Sequence, residues 1–171
     1  MNISVIIPVY NAALFVEKAV TSALFLAEVK EVVLVNDGST DNSLPILQKL
    51  QQSDARIKIY HHENNSNKGR SASRNLALQK ATQPFIAFLD ADDFYLENRF
   101  ETDSKIFASD TTIDGVYNAI GVHFYRDFSD DKATILLWKY DEKEELNSQF
   151  LVEAENYEKI KDYHPTKLKE L

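Results

Sequence analysis

With 171 residues, 44% of them hydrophobic and 27% charged, the chain has the size and balance of one globular domain with a real core. A formal net charge of −8 argues against nucleic acid or an anionic membrane as a general partner, and the absence of cysteine excludes disulfides, thiolate catalysis and cysteine-based zinc sites. No apolar run approaches the ~20 residues needed to cross a bilayer, and Ile3–Val9 has neither the length nor the basic flank of a signal peptide, so a cytoplasmic location is the expectation.

Ile3 to Ile7 is a β-branched run that stops at Pro8, which predicts a buried first strand. Val16, Ala19, Val20, Ala23 and Leu24 then recur at helical spacing, with Asn11 as the expected N-cap. Glu31 to Val35 predicts a second strand that ends in the turn-forming segment Asn36 to Asp41. Leu44, Leu47 and Leu50 mark a second helix ending near Ser53, with Asp41 as its N-cap and Pro45 in its first turn. Ile57 to Tyr60 alternates as a short third strand. A polar loop from His61 to Lys68 follows, with His61 and His62 read as surface residues, and a helix is predicted over Arg70 to Gln83.

Phe85 to Leu89 is an unbroken apolar run bounded by Pro84 and by Asp90, Asp92 and Asp93, which predicts a strand buried on both faces. Repeated strand–helix units with apolar strands predict an α/β fold with a mostly parallel sheet flanked by helices. Further on, a helix is expected from Leu96 to Ala108, a strand from Gly115 to Tyr125 and another from Thr134 to Trp138. From Tyr140 onward nine acids face five lysines, and Leu146, Phe150, Tyr157 and Ile160 form a loose helical stripe. The expected organisation is a core over residues 1–139 with an acidic, helical segment of the same domain over 140–171.

Parallel strands would deliver their C-terminal residues to one edge, where open α/β sheets bind ligands. Three acids emerging there repel one another, and a hard divalent cation such as Mg2+ or Mn2+ would supply the missing positive charge; a solvated acidic loop is the plainer reading. Asp37 beside Gly38 suits a base or ribose, against an Asx turn that bonds its own backbone. Lys68, Gly69, Arg70 and Arg74 at the start of a helix suit a diphosphate, against an ordinary solvated helix face. Pro8, Val9, Tyr10, Asp37 and the Asp90-Ala91-Asp92 segment meeting at one edge, with Arg74 nearby, suit a nucleoside diphosphate carried with its cation.

Four blocks, Ser4-Val5-Ile6-Ile7-Pro8-Val9-Tyr10-Asn11, Val35-Asn36-Asp37-Gly38-Ser39-Thr40-Asp41, Asn67-Lys68-Gly69 with Ser73-Arg74-Asn75, and Phe88-Leu89-Asp90-Ala91-Asp92-Asp93, resemble the family 2 glycosyltransferases. The resemblance covers roughly residues 3 to 100 and implies a GT-A, Rossmann-like fold, a nucleotide-diphospho-sugar donor and transfer with inversion to the hydroxyl of a glycan or lipid-linked acceptor; a peripheral association with the inner face of the membrane is the alternative to a purely cytoplasmic location. It implies that Pro8 and Tyr10 border the base, that Asp37 bonds it and that Arg74 lies near the phosphates. Asp90 and Asp92 would be the metal-binding Asp-x-Asp pair, with Asp92 the principal contact. The expected nucleotide-sugar site is therefore Pro8, Val9, Tyr10, Asp37, Gly69, Arg74, Asp90, Ala91 and Asp92. Ser73 departs from the family's usual Ala and Phe25 from its frequent Gln.

The family's later acidic general base has no evident counterpart. Glu153 and Glu155 read as a charged helix face, and the chain ends several tens of residues before the family's usual end. The alternative is thus a non-catalytic nucleotide-binding domain without its acceptor half. A sugar nucleotidyltransferase would want a Gly-rich basic loop after the first strand, where this chain has Pro8-Val9-Tyr10-Asn11.

Overall fold

The computed structural model describes residues 1–116 and the backbone of 138–140 and 146–148. Two compact units divide the chain, Met1–Ile113 and Asp114–Leu171. The first holds β1 (Ile3–Val9), α1 (Val16–Leu24), β2 (Val29–Asn36), α2 (Ser43–Ser53), β3 (Ile57–His61), a one-turn 3₁₀ helix (Glu63–Asn65), α3 (Arg70–Lys80), β4 (Phe85–Phe88) and α4 (Glu101–Ser109). The four strands form a parallel sheet in the order β3-β2-β1-β4. The chain steps outward from β1 to β3 and then returns to place β4 on the other side of β1. The order therefore reverses beside β1, and the crevice of such a sheet lies at the strand ends there.

Strand residues alternate between two cores. Val5, Ile7, Val9, Val32 and Leu34 pack with Val16, Ala19, Val20, Ala23 and Leu47 on the face covered by α1 and α2. Ile6, Val33 and Val35 pack with Ala77 of α3 on the other face. Burial on both sides is why β1 and β2 read as continuous apolar runs.

β1 runs through Pro8 instead of stopping at it. Ile6 accepts the Leu89 amide, but Pro8 has no N–H to return to β4, and the β1–β4 pairing ends at Ile6 and Phe88. The chain is thereby released from the sheet just before its acids. β4 is also less buried than its sequence implies: Ala87 is buried, whereas Ile86 and Phe88 are exposed, because β4 lies at one end of the described sheet.

Helix boundaries differ from expectation for identifiable reasons. Asn11 does not cap α1. It adopts a left-handed conformation (φ 49°), and the turn into the helix is closed by the Ala12 carbonyl, which accepts the Phe15 and Val16 amides. Asp41 acts one residue ahead of the cap position of α2, accepting the Ser43 amide at 2.9 Å. α3 ends at Lys80, short of Gln83, because the next amides are captured elsewhere. Thr82 N–H donates to Glu31 Oε2 at 2.8 Å and Gln83 N–H to Ser4 Oγ at 3.1 Å, while the Ser4 hydroxyl donates to the same Glu31 oxygen. α4 starts at Glu101, not Leu96, since turns closed by Leu96 and Asn98 carbonyls occupy the preceding residues.

Glu31 and Ser4 are both buried while Thr82 is exposed, so Glu31→Ala takes the acceptor from the Ser4 hydroxyl and the Thr82 amide at about 1–2 kcal/mol each. Urea unfolding of that variant is expected to show a loss of about 2–4 kcal/mol, and a loss below about 0.5 kcal/mol would contradict this account of where α3 stops.

In the second unit, β5 (Trp138–Tyr140) pairs antiparallel with β6 (Leu146–Ser148). Leu146 therefore lies in a strand, not on the helical stripe expected after Tyr140, and the 139/140 boundary falls within β5. The strand expected over 115–125, apart from residues 115 and 116, the strand expected over 134–138, apart from Trp138, the remainder of that stripe, Glu153 and Glu155 lie outside the described residues. Among the described residues no helix is long and apolar enough to cross a membrane.

Candidate nucleotide-sugar site

At the C-terminal ends of β1, β2 and β4 lies a hollow of about 560 Å³. Of the residues singled out by the sequence, Pro8, Val9, Tyr10, Asp37, Gly69, Asp90, Ala91 and Asp92 line it. Arg74 does not line it but reaches its wall through Asp90. Arg70, read with Lys68 and Arg74 as suiting a diphosphate, also lines it, and Asn11, Ala12, Phe15 and Asn67, which were not among the expected site residues, complete the lining. Tyr10 is half exposed at 52%, which leaves a ring face open beside the hollow.

The wall formed by residues 10–13 is stitched to the segment 39–43. Asn11 Oδ1 accepts the Thr40 amide at 2.8 Å, Ser39 Oγ accepts the Asn11 amide at 3.1 Å, Ser43 Oγ accepts the Ala12 amide at 2.9 Å, and Asp41 Oδ2 accepts the Ala13 amide at 3.0 Å. Desolvation opposes the Asp41 charge, but hydrogen bonds from Ser43 and the Ala13 amide outweigh it and hold this carboxyl below its ordinary range.

Asp37 makes no turn with its own neighbours. Its buried carboxylate accepts the Lys68 amide on Oδ1 at 2.7 Å and the Gly69 amide on Oδ2 at 2.9 Å, drawing the loop before α3 against the end of β2. Gly38 permits this close approach. Its φ is +70°, and a Cβ there would sit 2.6 Å from the Asn65 carbonyl oxygen and 2.9 Å from the Asn67 nitrogen. Gly69 also has a positive φ, +85°, but faces open space.

His62 is not a surface residue. Its side chain is 13% exposed, with Nε2 at 2.9 Å from Ser73 Oγ and 3.5 Å from Asp37 Oδ1. Sequence inspection missed it because its partners lie in other elements. His61 is exposed, as expected.

On the opposite wall Asp90 is paired with two guanidinium groups, Arg74 Nη2 at 2.6 Å and Arg70 Nη1 at 3.3 Å. Arg74 Nε is buried without a hydrogen-bond partner, an unspent donor beside that pair. Asp92 is exposed at the hollow. Burial, then the charges of Asp92 and Asp90, push the neighbouring Asp93 carboxyl up. The acidic loop is anchored at both ends: Leu89 N–H donates to the Ile6 carbonyl, and the Tyr95 hydroxyl to the Phe88 carbonyl at 2.7 Å. Burial raises the Tyr95 hydroxyl far above its ordinary range, so it stays a neutral donor.

Among the described residues no group of three histidine, cysteine or acidic side chains could enclose a cation. The donor set is instead an open carboxylate, Asp92, with Asp90 behind it. That fits a magnesium-type ion, which keeps waters and takes one or two carboxylates plus substrate phosphates.

Residues 4–166 match the family described as Glycosyl transferase family 2. TuaG of Bacillus subtilis, named as a teichuronic acid biosynthesis glycosyltransferase, is 39% identical over 100 residues, covering 58% of this chain and 39% of that protein. The glycosyltransferase EpsJ of the same organism is 29% identical over 167 residues, 96% of this chain and 44% of EpsJ. Residues 1–349 of S. aureus TarS, solved in complex with UDP-GlcNAc, superpose with a TM-score of 0.56 at 30% identity over 64% of this chain and 32% of that structure. The chain thus spans less than half the length of the relatives it matches.

Proposed function

The chain belongs to glycosyl transferase family 2, and from that premise we propose that it transfers a sugar from a nucleotide-diphospho-sugar to an acceptor hydroxyl, with inversion and with Mg2+ or Mn2+. The observation that carries this reading is the hollow itself, which unites a buried carboxylate at the end of β2, an aromatic ring after β1 and an open carboxylate beside two arginines after β4. Support for the donor class comes from TarS, whose structure holds UDP-GlcNAc in a related fold. Support for a glycan acceptor comes from TuaG, named for teichuronic acid biosynthesis.

In this reading Asp37 accepts an N–H from the base, Tyr10 and Pro8 flank the base, and Arg70 and Arg74 move between Asp90 and the diphosphate. Asp92, with Asp90, would hold the divalent cation, which when bound neutralises charge on the leaving diphosphate. An acceptor hydroxyl attacks the anomeric carbon from the side opposite the diphosphate and gives its proton to a carboxylate base.

Incubation of the protein with manganese and a panel of nucleotide-sugars is expected to give saturable binding and slow release of the nucleoside diphosphate. Binding without any release, in this chain and in a longer version, would favour the non-catalytic alternative. No binding to any member of the panel would sink both.

A further inference from the structure

We propose that His62 is a positioning residue for nucleoside recognition, holding the Asp37 carboxylate so that one of its oxygens is presented to the base. This rests on the reading that Asp37 meets the nucleoside. His62 Nε2 lies 2.9 Å from Ser73 Oγ and 3.5 Å from Asp37 Oδ1. A bare lone pair on that nitrogen would face a carboxylate, which has no proton to offer. A hydrogen there faces two acceptors, so the surroundings select the Nε2–H form.

The consequence follows from lone-pair accounting. An ionised carboxylate has about four acceptor positions. On Asp37 the Lys68 amide occupies one position of Oδ1, and the His62 N–H edge faces the same oxygen. The Gly69 amide occupies one position of Oδ2. The acceptor left over is on Oδ2, and it suits the ring N–H of uracil, whereas the same ring position of cytosine is an acceptor and only its exocyclic amine could donate there. Ser73 is fully buried in the first turn of α3, and its amide donates to the Gly69 carbonyl at 3.1 Å. The imidazole is thereby fixed to the same turn that supplies the Gly69 amide, so Asp37 is held from both sides by one rigid element. The serine at 73, a departure from the family's usual alanine, thus has a partner that uses its hydroxyl.

The test compares uridine diphosphate with pyrophosphate, each with manganese, so that effects at the base separate from effects at the phosphates. His62→Ala is expected to weaken uridine diphosphate roughly tenfold, the worth of about one hydrogen bond, to narrow its advantage over cytidine diphosphate, and to leave pyrophosphate unchanged. His62→Gln, which keeps an N–H donor, should restore most of the loss. Ser73→Ala removes one oxygen from a helix and is tolerated by the fold; it should reproduce the base-specific loss in part, about threefold. Equal weakening of both ligands in these variants, or no weakening of uridine diphosphate, overturns the proposal while Asp37→Asn still loses uridine diphosphate. If Asp37→Asn binds uridine diphosphate like the parent protein, the reading of Asp37 fails and His62 has nothing to position.

Discussion

Replacing Asp92 by alanine is expected to remove metal-dependent binding of uridine diphosphate while leaving the unfolding midpoint of the protein unchanged. Asp92 is exposed, and among the described residues it makes no hydrogen bond or ion pair, so the fold loses nothing with it. Asp90, by contrast, is already neutralised by Arg70 and Arg74, which leaves Asp92 as the carboxylate free to face a cation. Truncating one partner of a charge pair in a binding site costs about 2–5 kcal/mol, so affinity measured by calorimetry with manganese should fall by ~30-fold or more. Binding in the absence of metal should be the same for the parent and the variant. Equal affinity of the variant with and without manganese, at the parent's metal-bound level, would remove Asp92 from the site.

Gly38→Ala is the second substitution with a large expected effect, this time on the fold and the ligand together. The residue sits at φ +70°, a conformation costing an L-residue roughly 1–2 kcal/mol, and its new Cβ would lie 2.6 Å from a backbone oxygen that cannot rotate away. The Asn65–Asn67 segment must therefore shift, and the Lys68 and Gly69 amides bound to Asp37 shift with it. A loss of about 2–4 kcal/mol is expected, seen as a melting midpoint lower by on the order of 5–15 °C, along with weaker nucleotide binding. Gly69→Ala provides the contrast. Its φ of 85° with ψ 160° is a conformation essentially only glycine adopts, but nothing lies within 4 Å of the added carbon, so its cost is conformational and displaces no backbone neighbour. Gly38→Ala is therefore expected to weaken nucleotide binding more than Gly69→Ala does for the same loss of stability, and equal weakening per unit of stability lost would show that close approach at Gly38 is not what selects glycine there.

The sheet and its ligand edge were legible because their signals are local. Apolar runs such as Ile3–Ile7 and Glu31–Val35 can be seen in a window of a few residues, and parallel pairing of such runs forces their ends together. What stayed hidden depends on pairings distant in sequence. The amides that Asp37 accepts are 31 and 32 residues away, and Ser73 lies 11 residues from His62. A histidine without a neighbouring ligand therefore looked like a surface residue. Asn11 looked like a cap for the same reason, since the Thr40 amide it serves belongs to another loop. β4 misled in a different way: Phe85–Leu89 is as apolar as β1, yet its place at one end of the described sheet leaves Ile86 and Phe88 exposed. Composition reports what a strand is made of, and neighbours decide what covers it.

The cross-links between residues 11–13 and 39–43 bear on how a guest would be received. Loops that close around a ligand must give up their freedom at the moment of contact, and affinity is diminished by that amount. On this wall the restriction has already been met during folding, through Thr40, Ala12 and Ala13 amides that are satisfied from within the protein. Under the proposed function, an arriving nucleoside would therefore meet a wall already ordered on the β1–β2 side, and on the opposite wall the arginine pair would have to let go of Asp90.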